Sequence, residues 1–214
     1  VIINGVDTAD KTTASISRSV GYVFQNPGDQ LFNSSVFNEI AFALKAQGDS
    51  HEEIDRKVRN AAKVCHIDEY LETNPYDLPF SLRKFVTIAI VIANDCDIVI
   101  LDEPTAGQDL FGIQWLNTII NDLYSKGKTV ITITHDMDFV IDNFKHIIVM
   151  AHKNVIDCGG INDIFWNFET LKDANLRLPV VAELVEKLEV KQHIVSIDEF
   201  VDSCHMFLES KATT

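Results

Sequence analysis

The stretch Ile98-Val99-Ile100-Leu101-Asp102-Glu103-Pro104-Thr105-Ala106-Gly107-Gln108-Asp109 decides how the rest of the chain is read. Its four opening apolar residues form a run that suits a buried strand. Two carboxylates, Asp102 and Glu103, leave together at the C-terminal end of that strand. In a parallel α/β sheet this is the edge where ligands bind. Adjacent acids there can divide two tasks. Asp102 can hold Mg²⁺, directly or through water, and Glu103 can take a proton from an attacking water or orient it. An isolated Asp-Glu pair would read as a plain strand end. The full string points elsewhere, because Pro104 fixes the exit, Gly107 permits a turn and Asp109 stands where a helix begins.

Outward from this stretch, strands and helices alternate. Residues 97–101 read as a strand, 108–126 as a helix stopped by Gly127, 129–134 as a strand, 136–143 as a helix and 146–150 as a strand. Upstream, residues 1–3 read as a strand ending at the Asn4-Gly5 turn, 20–24 as a strand, 36–71 as helical, 74–77 as a break and 82–93 as a helix. Residues 161–168, 180–188 and 197–208 read as short helices beyond Gly159-Gly160. The pattern predicts an α/β fold with a mostly parallel sheet covered by helices on both faces. Residues 1–158 are expected to form the main domain, with a helical subdomain at about 34–94. Residues 159–214 are expected to form a small C-terminal appendage.

The chain carries 32 acidic against 18 basic residues over 214 positions, a formal net charge of −14. That balance disfavours non-specific nucleic-acid binding, since phosphates would be repelled. It does not exclude a nucleotide, whose site works through local amides and a bound metal. Cys65, Cys96, Cys158 and Cys204 lie far apart, without zinc-site spacing or a disulfide framework. No apolar run approaches the roughly 20 residues of a membrane span.

Residues 101–109 resemble the Walker B and D-loop segments of ABC transporter ATPases, with Gln108 where leucine is usual. Val130-Ile131-Thr132-Ile133-Thr134-His135-Asp136 is similar to that family's switch strand and histidine. Gly21-Tyr22-Val23-Phe24-Gln25-Asn26-Pro27 resembles its Q-loop. The resemblance implies a P-loop NTPase-like fold, with ATP and Mg²⁺ bound and hydrolysis coupled to transport. It implies Glu103 and His135 as catalytic residues, with His135 against the γ-phosphate. Asp102 and Gln25 would lie at the metal, and Gln25, Asp102, Asp109 and Ser81 at the nucleotide.

Two finer matches narrow the branch. Asp29-Gln30-Leu31-Phe32 with Val36-Phe37-Asn38-Glu39-Ile40-Ala41-Phe42, and Leu176-Arg177-Leu178-Pro179-Val180-Val181-Ala182-Glu183-Leu184, are similar to the ATPases of cobalt and energy-coupling-factor importers. These import vitamins or transition-metal ions. The implied partners are a second ATPase subunit and a membrane-embedded subunit contacted between Phe24 and Phe42, with no nucleic acid. The implied location is peripheral, on the cytoplasmic face of the cell membrane.

The sequence departs from the family in two places. The phosphate-binding motif G-x-x-x-x-G-K-[ST] does not occur in residues 1–214; Gly127-Lys128-Thr129 imitates its tail, but Asp122 stands where its first glycine should be. The expectation is that the loop and a further sheet strand precede Val1 in a longer gene. These 214 residues alone are then expected to bind MgATP poorly and to expose an apolar sheet edge. The second departure is Leu78-Pro79-Phe80-Ser81-Leu82, which stands where the family has Leu-Ser-Gly-Gly-Gln. Pro79 lacks a hydroxyl and an N–H, and Phe80 and Ser81 replace glycines that let backbone approach phosphate. A heterodimer with one competent and one weakened ATP site follows as an expectation. The alternative is a degenerate, non-hydrolytic subunit that serves dimerisation or regulation.

Overall fold

The computed structural model describes residues 1–188 and 192–212, which fall into two compact units, Val1–Thr134 and His135–Thr214. The first opens with a hairpin, β1 (Ile2–Ile3) and β2 (Val6–Asp7), turning through Asn4 and Gly5, both at positive φ. After α1 (Thr13–Ile16) comes β3 (Val20–Val23). Ser35 caps α2 (Val36–Gln47), and Gly48, at φ 87°, ends it in the left-handed conformation that a helix stop favours. A capping box of Ser50 and Glu53 starts α3 (His51–Val64). The helix α4 (Phe80–Ala93) follows, and α2, α3 and α4 pack pairwise on one another. Their facing side chains, among them Ile40, Leu44, Val58, Ala62, Phe85 and Ile88, are fully buried.

Next come β4 (Ile98–Asp102), α5 (Leu110–Ser125) and β5 (Thr129–Ile133). The three longer strands form one parallel sheet in the order β3-β4-β5, with Val23 opposite Leu101 and Leu101 opposite Thr132. One face, carrying Gly21, Val23, Val99, Leu101 and Val130, is buried. It meets α4 at β3, where Gly21 leaves room for the Val91 side chain, and α5 at β5. The other face is open within this unit: Tyr22, Ile131 and Ile133 are 37%, 47% and 50% exposed. Within this unit α4 and α5 supply the cover of one face only. Strands that advance in one direction through right-handed crossovers place their connecting helices on the same side. The order β3-β4-β5 does not reverse, so within this unit both helices fall on one side.

The second unit contains α6 (Met137–Asn143), β6 (His146–Ala151), β7 (Asn154–Gly160), α7 (Ile161–Phe165), α8 (Phe168–Asp173), α9 (Val180–Lys187) and α10 (Ile197–Ala212). Phe165, Leu171, Ala182 and Val195 make its core, with Val140, Ile147 and Trp166 packed against them. Residues 146–150, expected as one more strand of the alternating series, instead pair antiparallel with β7. Their turn is His152-Lys153, both at positive φ (52° and 65°). That is the backbone of a two-residue hairpin without the glycine or asparagine that announces one. The helix expected over 161–168 is two, because Asn167 accepts from Thr170 N and starts α8 afresh. The expected appendage over 159–214 includes positions 189–191 and 213–214, which lie outside the described residues.

Candidate functional site

The parallel register brings two strand exits together. Val23 opposes Leu101, so Phe24 and Gln25 leave the sheet beside Asp102 and Glu103. The Asp102 side chain is half-buried, and its Oδ2 accepts from the Tyr22 hydroxyl at 2.9 Å. Tyr22 reaches it because it opposes Ile100, two residues earlier on the same face. This hydrogen bond, with smaller contributions from burial and from the Asp102 charge, pushes the Tyr22 phenol above its ordinary pKa.

Glu103 sits at φ 45°, a left-handed backbone that costs a non-glycine residue about 1–2 kcal/mol. It is held there from the main chain. Its N–H donates to Ile133 O at 2.9 Å, continuing the β4–β5 pairing one residue past the strand, and its carbonyl accepts from Ala106 N at 3.3 Å. The side chain turns toward β5, with Oε2 3.5 Å from the Thr134 hydroxyl. His135 follows Thr134 directly and opens the second unit.

Lys84 on α4 is fully buried beneath both exits. Its ammonium donates to Gln25 O at 2.5 Å and Phe24 O at 3.1 Å, and reaches Asp102 O at 3.4 Å. Burial holds its pKa below the usual lysine value, and the charges of Asp102 and Glu103 oppose that shift. The residue before it on α4, Arg83, donates to Leu78 O at 2.8 Å and Tyr76 O at 2.6 Å. The Tyr76 hydroxyl lies 2.8 Å from Leu31 O and 3.1 Å from Gly28 O, gripping the loop that follows Gln25.

The start of α4 is built differently. Pro79 precedes the helix without a side-chain cap, where a proline is sterically at ease. Phe80 is 44% exposed and lies over Gly107, where a Cβ would stand 2.9 Å from its ring. Gln108 donates to Ser81 O at 3.2 Å. Asp109 caps α5 by accepting from Gly112 N at 2.8 Å, which is a structural use for that carboxylate. The first unit thus gathers Gln25, Asp102 and Glu103 at one edge, and joins Ser81 to the loop of Asp109.

The donor set suits Mg²⁺ carried in by phosphates. Such a metal takes one or two protein oxygens and keeps waters and substrate oxygens for the rest. Asp102 and the Gln25 amide supply hard oxygens of that kind, and among the described residues no cluster of three or more His, Cys, Asp or Glu offers an all-protein cage.

Lys84, Tyr22 and Tyr76 were not singled out by motif. A signal for Lys84 was present: with Ile88 and Val91 it falls on the buried stripe of α4, where an unpaired lysine needs a purpose.

Comparison with known proteins falls on the same residues. The ABC transporter family model matches residues 1–106, reaching past Asp102 and Glu103. The energy-coupling factor transporter ATP-binding protein EcfA of Methanocaldococcus jannaschii is 36% identical over 86% of this chain and 66% of its own length. EcfA of Methanococcus maripaludis is 35% identical over 88% and 69%. The chain thus spans about two thirds of these relatives. Among solved structures, cbiO1 from Clostridium perfringens, part of the ABC transporter complex cbiONQ, matches with a TM-score of 0.70 at 32% identity over 86% of this chain and 75% of that one. Among the described residues no helix is long and apolar enough to cross a membrane. By its matched segment, its relatives and the edge built around Asp102 and Glu103, the chain belongs to the ABC transporter ATP-binding proteins and resembles those of energy-coupling-factor transporters.

Proposed function

We propose that this chain is an ATP-hydrolysing subunit of an energy-coupling-factor-type importer of a vitamin or a transition-metal ion. The observation that carries it is the β4 exit, where Asp102 and Glu103 emerge together on a backbone locked to β5. Asp102 and Gln25 hold the metal that accompanies the nucleotide. Mg²⁺ supplies neutralisation of phosphate charge as the terminal phosphoryl group departs. Glu103, fixed by its left-handed backbone, takes the proton of the attacking water. His135 contacts the γ-phosphate. Asp109, beyond its capping role, and Ser81, at the start of α4, face the nucleotide held with a second ATPase subunit.

The surface between Phe24 and Phe42 is the docking face for a membrane-embedded subunit. Phe24, Phe32 and Phe42 are 44%, 65% and 52% exposed, and the rings of Phe32 and Phe42 meet edge to face at 4.9 Å. Aromatic side chains left in water at that density favour a protein partner. The subunit then sits peripherally on the cytoplasmic face of the membrane and needs no nucleic acid. Pro79 and Phe80 favour a heterodimer with one weakened site, and they also support a second reading, a non-hydrolytic subunit.

Phosphate release from ATP by the gene product, assembled with its ATPase and membrane partners, tests the choice. Replacing Asp102 with alanine is expected to remove the Mg²⁺-dependent release assigned to this subunit. Equal release with and without Asp102 sinks the hydrolytic reading and leaves the other.

A further inference from the structure

We propose that Lys84 is a positioning residue that ties the Gln25 loop to the Asp102 strand. The proposal rests on the functional reading of that edge. An ammonium has three hydrogens to donate, and here they face three main-chain oxygens, of Phe24, Gln25 and Asp102. Those oxygens belong to two strand exits distant in sequence. Neutral carbonyls, not a carboxylate, receive the charge, although Lys84 is fully buried. Burying a cation without an ion-pair partner is unfavourable, so an apolar residue of similar length would be the cheaper filling for this position. What the lysine adds is a fixed separation between two peptide segments.

The segments it joins carry the proposed metal donors. Gln25 is exposed, just beyond the last residue of β3, and no longer belongs to the sheet. The register at Val23 holds the strand, Gln30 accepts from Phe24 N at 3.3 Å and Tyr76 holds Gly28 and Leu31, but the hold on Gln25 itself is that of Lys84. Lys84 also sits on α4, whose first turn carries Phe80 and Ser81. A shift of α4 along its axis therefore moves both exits, and Arg83 and Tyr76 carry the same shift to Gly28 and Leu31. Lys84 touches no substrate; it sets where Gln25 stands relative to Asp102.

The test compares K84M, which keeps chain length and removes the donors, with I88A, a packing defect one turn further along the same buried helix. Amide exchange over residues 25–30 in the nucleotide-free protein is expected to quicken about tenfold in K84M and not in I88A. In the assembled complex, the Mg²⁺ concentration for half-maximal hydrolysis is expected to rise about tenfold. ATP binding without metal is expected to stay within about twofold of wild type. K84R, which keeps charge and donors, is expected to recover a large part of both shifts. Unchanged exchange, equal loosening in I88A, or an unmoved Mg²⁺ requirement each overturns the proposal. Should K84M not fold, K84Q carries the same readings. The exchange measurement needs no turnover, so a wild-type protein that fails to hydrolyse ATP defeats the functional reading while exchange still judges the tie.

Discussion

The exit of β4 and the start of α4 are both expected to face nucleotide phosphates, yet they are built on opposite plans. At the β4 exit, the main chain is held from behind: Glu103 by Ile133, and Asp102 and the neighbouring Gln25 by Lys84. At the start of α4, the space that glycines would leave for a phosphate is filled by the chain itself. Phe80 lies over Gly107, and Gln108 bonds to Ser81. Both unusual residues, Phe80 and Gln108, take part in the same patch. The comparison teaches that the start of α4 packs its own side chains where a phosphate site would need open backbone. At the β4 exit the fold instead keeps a strained backbone at Glu103 and a buried charge at Lys84.

The largest test of this contrast is E103Q. It should lower hydrolysis by the assembled complex about 10²–10⁴-fold while leaving nucleotide binding intact. A loss of binding of the same size would mean that Glu103 holds structure, and the contrast would break. Next is P79S/F80G, which returns a hydroxyl, an N–H and open backbone to the start of α4. Turnover in the assembled complex is expected to rise about tenfold, the worth of one charge-assisted hydrogen bond. No rise would show that the patch is not a weakened phosphate site.

A smaller effect is expected from G107A, since φ is 73° and the new Cβ would stand 2.9 Å from Phe80. It should cost about 1–2 kcal/mol in denaturant unfolding. F80A in the same background should relieve the contact and leave the backbone strain, so a double-mutant cycle separates the two.

The smallest is Y22F, which removes a partly exposed hydrogen bond worth under about 1 kcal/mol. The raised phenol pKa fixes the pH dependence. The contribution is full below the ordinary tyrosine value, near 10, and is lost as pH rises through the raised value. Wild type and Y22F should therefore converge in stability at strongly alkaline pH.

Much of the first unit was legible because its strands are short apolar runs with sharp ends and its helices carry clear stops. Asp102, Glu103 and Gln25 could be assigned to one edge from motif order alone, since parallel strands send their C-terminal ends the same way. What was not legible depends on residues acting against type. Glu103 adopts a left-handed backbone that favours glycine, held by main-chain bonds to Ile133 and Ala106 that the sequence does not announce. Lys84 is a charge in an apolar stripe, whose acceptors lie about sixty residues away for Gln25 and Phe24. The β6–β7 hairpin turns through His152 and Lys153, so no turn residue marked it.

The anchors of this site share a property with an evolutionary consequence. Lys84, Arg83 and Tyr76 take hold of oxygens belonging to Phe24, Gln25, Asp102, Leu78, Tyr76, Gly28 and Leu31, and every one of those oxygens is main-chain. A carbonyl is the same whatever side chain accompanies it. Residues on the gripped side can therefore drift without loosening the hold, whereas the three that grip cannot. Sequence variation among relatives should be narrow at these three positions, although no catalytic motif contains them.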